Sequence, residues 1–496
     1  ATTTEAKVTR IALKVFDSNG KEVHSVEKVK KEGDSDFDNV KIPLYEYIYD
    51  CIKSDILAKK LKAGQKLPSK RTFAENNGIS TITVQNAYDQ LISEGYIYTV
   101  PRKGYYVANL YGLSTVNKET NISLNIRLPK EKRTDLIDLS DNRMNTDNFP
   151  FSIWAKFSRS ILSGKSKELM EISPTNGKKE LREAIAGHLK SFRGMLVDPN
   201  QIVVGAGTEY LYSLLIQLLG NDKTYCLENP GYTKIAKVYA KHQVTCRYVD
   251  LDDSGITLRG LRKAEADVVH ISPNHHFPTG ITMPVKRRYE VLSWASEKDG
   301  RYIIEDDYDS EFRISGKPIP TLFSIDESEK VIYMNTFSKS LTPTIRISYM
   351  VLPVHLANLF YESLSFYACT VSNFEQFILA DFIKNGYFEK HINRMRLFYV
   401  RKRRALIDAV KNSRLKDISE IIESDSGLHF LLKIDTEKTD ADFSAQLLDK
   451  GIHVEFLSEF YHDKSNREHL MIINYSNFDV QTMGDIFDKI AEIAEK

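Results

Sequence analysis

From about Asp135 onward, short apolar runs alternate with amphipathic stretches for some two hundred residues, and this rhythm is the tightest constraint on what the chain can fold into. The runs QIVVGAG, KTYCLEN, ADVVHISP, YIIEDD and VIYMNTFS are β-prone, and helical patterns separate them. Strands divided by helices cannot pair as simple hairpins, so a mostly parallel sheet with helices on both faces is expected. Past about Leu352 the rhythm changes to long amphipathic helices (NLFYESLSFY, HINRMRLFYVRKRRALIDAV) and then GLHFLLKI and HLMIINYS, a smaller α/β subdomain. No internal repeat or low-complexity tract interrupts it.

That region fills only part of 496 residues, a length that suggests two to four domains. No apolar run approaches the roughly 18 residues that span a bilayer, and the opening ATTTEAKVTR lacks the apolar core of a secretory signal. A cytoplasmic protein with no membrane partner is expected. Cys51, Cys226, Cys246 and Cys369 lack CxxC or metal-ligand spacing, which points to buried free thiols and no metal site. The net charge of +1 hides a local imbalance. Residues 41–110 carry eight Lys and two Arg against three Asp and three Glu, while residues 1–40 are almost balanced.

The first forty residues form a separate extension, with VTRIALKVF and VHSVEKV flanking Asn19-Gly20 as a candidate β-hairpin before the turn-prone EGDSDFDN. From Pro43, Leu44, Ile48, Ile52, Ile56 and Leu57 recur at helical spacing, and the helix should end near Ala63-Gly64. Ser69 caps a second helix that Gly78 ends; Ser80 caps a third that buries Val84, Ala87, Tyr88 and Leu91 and ends at Gly95. YIYTV and YYVANL then flank PRKG as a two-stranded wing, and the polar stretch 111–134 is an interdomain linker ahead of a domain spanning 135–496.

A duplex requires cations aimed at phosphates and short polar side chains at a helix start that can enter the major groove. Ser69, Lys70 and Arg71 open the second helix, Ser80, Thr81, Thr83 and Gln85 the third, and Arg102, Lys103 and Gly104 form the wing turn. In register, these residues resemble the winged helix-turn-helix (α+β) of the GntR family over about 41–110. The resemblance implies a double-stranded DNA operator as partner. Family members often carry Arg where this chain has Thr81 and Gln85, which leaves the base preference open.

GAGTEY follows a strand and opens a helix, so the amides of Gly207 and Thr208 can bind phosphate at a helix N-terminus. Around it stand NTFSKSLTPTIR, EDDYDSEF and ENPGYTK in an order that resembles a fold-type-I aminotransferase, an α/β fold that binds pyridoxal 5'-phosphate, over about 135–496. Lys339 matches the lysine that forms the Schiff base, and Thr336, Ser338 and Arg346 match phosphate-holding residues. The same resemblance pairs Asp306 with the pyridine nitrogen, Tyr308 with the ring hydroxyl and Tyr232 with the ring face. Two departures stand out. Where those enzymes have NPTG, NHHFPTG puts Phe277 in place of the Asn, leaving Asn274, His275 or His276 as substitutes or as surface loop residues. The C-terminal Arg that clamps a substrate carboxylate is missing from LMIINYS, with Arg467 the nearest.

Winged helix, linker and aminotransferase-like domain in this order resemble the MocR group of GntR-family regulators. The resemblance implies a head-to-tail homodimer that senses a small amine or amino-acid effector by exchange at the Lys339 aldimine. In a GABA-responsive member of the group an Arg two residues after the stacking Tyr helps hold the effector carboxylate; here Lys234 keeps the charge and loses the bidentate fork. The alternative from a different class is a working aminotransferase that carries a DNA-binding domain.

Overall fold

The structure, a computed structural model, describes residues 10–16, 22–29, 43–110, 136–140, 148–313, 319–422, 427–463, 469–475 and 482–495. The expected linker 111–134, the turn at Asn19-Gly20 and Arg467 lie outside them. The chain divides into two compact units, residues 1–130 and 131–496.

In the first unit, β1 (Arg10–Phe16) and β2 (Glu22–Val29) pair antiparallel, Arg10 opposite Val29 and Val15 opposite His24. Helix α1 (Leu44–Leu57) stops well short of the expected Ala63-Gly64. Lys59 takes a positive φ of 58°, and the amides of Lys60 and Leu61 both donate to the Asp55 carbonyl. This turn sends Leu61 back into the core, 4% exposed, a tertiary demand that outweighs the helix propensity of AKKLKA. The next two helices follow their caps. Ser69 Oγ accepts from the Thr72 amide ahead of α2 (Lys70–Asn77), which Gly78 closes in the left-handed conformation; Ser80 Oγ accepts from the Thr83 amide ahead of α3 (Thr81–Ser93). Strands β3 (Lys66–Leu67), β4 (Ile97–Val100) and β5 (Gly104–Val107) form a sheet ordered β3-β5-β4. Ile48, Ile52, Val84, Ala87, Tyr88 and Leu91 fill the core beside it.

The second unit begins with β6 (Ile137–Asp138) and is built on β7 (Ile202–Gly205), β8 (Thr224–Asn229), β9 (Thr245–Asp252), β10 (Gly255–Ile256), β11 (Val268–Ile271), β12 (Tyr302–Asp306), β13 (Val331–Thr336) and β14 (Ser348–Val351). The eight-stranded sheet runs β10-β9-β8-β11-β12-β13-β14-β7, with β10 and β14 antiparallel to the rest. A parallel crossover takes a dozen or more residues and usually a helix. Between β13 and β14 there is room only for the four-residue helix Phe337–Ser340, so β14 returns antiparallel. Successive residues face opposite sides. Ile304, Ile332 and Met350 pack with the helices Thr208–Leu219 and Val354–Leu364, while Ile303 and Val331 pack with Val285–Ser296 on the other face.

Beyond it, β15 (Ser419–Ile422), β16 (His429–Ile434) and β18 (Leu470–Asn474) form an antiparallel sheet in one core with the helices Tyr387–Asn412 and Met483–Glu495. Strand β17 (Ile452–His453) pairs in parallel with β6, and Asp138 accepts from His453 Nδ1 at 2.9 Å. The segment 136–140 therefore joins the C-terminal subdomain. Of the four free thiols only Cys226 is buried; Cys51, Cys246 and Cys369 are half-buried, unlike the expectation. Among the described residues no helix is long and apolar enough to cross a membrane, and no cluster of His, Cys, Asp and Glu could hold a metal ion.

Candidate functional site

Six strands of the large sheet share a direction, so the loops leaving their C-terminal ends lie along one edge, where open α/β sheets bind ligands. Gly207 follows β7, Tyr232 follows β8, the 274–280 loop follows β11, Tyr308 follows β12 and Lys339 follows β13. Antiparallel β14 starts at the same edge, which brings Arg346 there too. Gly205, Ser348 and Thr336 stand in register across β7, β14 and β13.

Gly207 has φ 94° and caps the helix Thr208–Leu219. A Cβ on it would lie 2.2 Å from Arg346 Nη2 and 2.9 Å from Glu209 Oε2, so only glycine permits this approach. Arg346 itself has a left-handed φ of 50°, an uncommon conformation for a non-glycine residue and one that gathers at functional sites. Its Nη2 donates to Glu209 Oε2 at 2.6 Å, and Lys234 Nζ donates to Glu209 Oε1. Burial would raise the Glu209 carboxyl, but these two cations hold it down to about 2. Thr336 is buried; its Oγ1 accepts from the Ser338 amide at 3.1 Å and from Ser348 Oγ at 2.8 Å. Ser338 Oγ is buried without a hydrogen-bond partner.

The EDDYDSEF run is not a solvated turn: Glu305, Asp306, Asp307, Asp309 and Glu311 are all buried. Tyr212 donates to Asp306 Oδ2 at 2.6 Å and His270 Nε2 lies 3.4 Å from the same oxygen, whereas Asp306 Oδ1 is buried with no partner. Asp307 instead binds Arg193 at 2.5 Å, Tyr333 at 2.7 Å and Asn274 at 2.8 Å. The Tyr308 hydroxyl lies 3.1 Å from His275 Nδ1, which is 2.8 Å from Asp309. Of the three polar residues ahead of Phe277, His275 therefore reaches Tyr308, Asn274 anchors Asp307, and His276 turns to Thr279 at 2.7 Å. Phe277 packs its ring between Tyr232, His429 and Phe460. Tyr232 is 47% exposed, leaving ring surface open. Burial, the neighbouring His275 and the nearby Lys339 ammonium push His429 down to about 3.

On the winged helix, Thr81, Gln85, Arg102 and Lys103 are exposed. Lys70 Nζ sits 5.7 Å over the Tyr105 ring, and Arg71 pairs with Glu75 at 2.8 Å, an exposed pair weak enough to yield to a phosphate. Arg102 (φ 64°) and Gly104 (φ 113°) make the wing turn. Sequence reasoning missed Ile82, 71% exposed in the first turn of α3 between Thr81 and Thr83; its position off the Val84-Ala87-Leu91 stripe was the available signal. It also missed Glu209, Tyr212 and His270, whose partners come from distant parts of the chain and leave no local trace.

Residues 44–107 match the family of bacterial regulatory proteins, gntR family, and residues 134–483 match aminotransferase class I and II. The uncharacterized HTH-type transcriptional regulator YdeL of Bacillus subtilis is 38% identical over 393 residues, which cover 79% of this chain and 84% of that one. The probable rhizopine catabolism regulatory protein MocR of Rhizobium meliloti is 30% identical over 456 residues, 89% of this chain and 92% of its own. A kynurenine aminotransferase of Pyrococcus horikoshii, solved with PMP, shares the fold at TM-score 0.65 and 23% identity, over 76% of this chain and 96% of that one. With a gntR-type winged helix joined to an aminotransferase domain of classes I and II, the chain belongs to the MocR-type transcriptional regulators of the GntR family.

Proposed function

We propose that this regulator binds pyridoxal 5'-phosphate at Lys339 and senses a small amine or amino-acid effector there, its winged helices binding a double-stranded operator. The observation that carries the reading is Asp306 Oδ1, buried and without a partner while Tyr212 fixes the other oxygen. A buried acceptor left empty costs about 1–3 kcal/mol, and a protonated ring nitrogen would satisfy it with a charge-assisted bond. When bound, the cofactor supplies an aldehyde that primary amines capture and a ring that withdraws electrons.

The chain's own residues do the rest. The amides of Gly207 and Thr208 at a helix N-terminus, the Arg346 guanidinium, and the hydroxyls of Thr336 and Ser338 suit a phosphate dianion. Tyr232 offers a ring face. Tyr308, which His275 and Asp309 steady, would hold the ring hydroxyl in place of the Asn that Phe277 replaces. Lys339 supplies the amine that an effector must displace, and the effector acts only through its different affinity for the two arrangements. As a homodimer the regulator would carry two winged helices, whose natural counterpart is a repeated operator.

The test uses duplexes selected from a random pool. Wild-type and Lys339→Ala protein, each incubated with pyridoxal phosphate, are titrated onto them while primary amines are added. At least one amine should shift the wild-type DNA affinity severalfold and leave Lys339→Ala unmoved. Equal responses from both would overturn the reading.

A further inference from the structure

The guanidinium assigned above to the phosphate is already paired with a carboxylate. Glu209, the second residue of the helix Thr208–Leu219, takes Arg346 on Oε2 at 2.6 Å and Lys234 on Oε1, so each oxygen serves one cation. The space a Cβ would fill at Gly207 is bounded by the same two groups, Arg346 Nη2 and Glu209 Oε2. All three charged side chains are partly exposed, within reach of solvent and of an incoming ligand.

A phosphate monoester seated at the amides of Gly207 and Thr208 needs the guanidinium that Glu209 now holds. It also brings two negative charges beside a carboxylate, which repels them. Arg346 cannot serve both anions at full strength. The second cation resolves the conflict, because Lys234 grips the other oxygen and keeps Glu209 compensated after Arg346 has turned away.

We infer that Glu209 is a resident counter-anion of the phosphate cradle, one that holds Arg346 until a phosphate monoester takes it and is then retained by Lys234. Lys234 thereby acquires an internal role, as the positioning partner of Glu209 and not as a clamp for an effector carboxylate. The effector class that fits is a primary amine whose recognition does not depend on a carboxylate at Lys234. The inference rests on the cofactor reading above.

The experiment measures equilibrium binding of pyridoxal phosphate to the cofactor-free full-length protein, with pyridoxal, which lacks the phosphate, as the control ligand and inorganic phosphate as competitor. Glu209→Gln should tighten pyridoxal phosphate and inorganic phosphate by roughly three- to tenfold and leave pyridoxal unchanged. Lys234→Ala should weaken pyridoxal phosphate by a similar factor, and adding Glu209→Gln to it should restore the affinity of the Glu209→Gln protein. The inference is overturned by a Lys234→Ala protein with wild-type affinity, or by a Glu209→Gln protein that binds pyridoxal phosphate more weakly or changes equally toward pyridoxal. In either case wild-type binding would leave the cofactor reading standing. A wild-type protein that binds neither aldehyde would overturn that reading, and this inference with it.

Discussion

Asp306, the last residue of β12, and Asp307 just beyond it are both buried, yet they meet different partners. Asp307 meets Arg193, Tyr333 and Asn274 and has its capacity filled, while Asp306 keeps one buried oxygen without a partner. The two should therefore separate by measurement. Asp307→Ala removes one partner of a buried ion pair and should cost about 3–5 kcal/mol, read as a lowered unfolding midpoint. Asp306→Ala should cost less stability but lose cofactor retention on dialysis; equal retention by both variants would contradict the assignment. At the DNA surface, Arg71→Ala or Lys103→Ala should each lower the slope of log affinity against log salt by about 0.9 for every phosphate that is no longer neutralised, leaving the aminotransferase unit untouched. Ile82, exposed among hydroxyls, offers an apolar surface suited to a thymine methyl.

At the scale of elements, the loop between β7 and its helix makes the sharpest prediction. Gly207→Ala puts a methyl 2.2 Å from Arg346 Nη2 and strains a φ of 94°, so phosphate affinity should fall by an order of magnitude or more in a pyridoxal phosphate titration. Elements whose causes are local were legible beforehand. Ser69, Ser80 and Gly78 bound α2 and α3 because a side-chain oxygen or a missing Cβ acts within four residues, and the alternation after Asp135 announced the large sheet. The end of α1 was not legible, since burial of Leu61 decided it. Nor was the reversal of β14, nor the Glu209 pairing, which spans 137 residues to Arg346. For the site, the motifs lie on loops that share one edge of the sheet, while the hydrogen bonds of Tyr212, His270 and His275 came only with the fold.

For the whole molecule, buried titratable groups set the pH response. Burial pushes Glu228 up to about 8 and Glu305 and Glu311 up to about 7, from an ordinary 4.5, so the folded chain holds extra protons across that range and loses stability as pH rises through it. Burial pushes His188 and His391 down to about 4 and His276 and His429 down to about 3, from 6.5, so the folded chain holds fewer protons there and loses stability as pH falls below 6.5. Opposed slopes give a stability maximum near pH 6, falling toward pH 8. Glu228→Gln should flatten the alkaline limb in calorimetric midpoints; an unchanged limb would assign it to other groups. The proposed sensing requires a covalent bond at Lys339. Borohydride reduction of the protein after incubation with pyridoxal phosphate, followed by peptide mass mapping, tests it directly. A visible absorption band lost on reduction and one pyridoxyl adduct, on Lys339, are expected; a colourless protein, or an adduct spread over surface lysines, would contradict the covalent assignment.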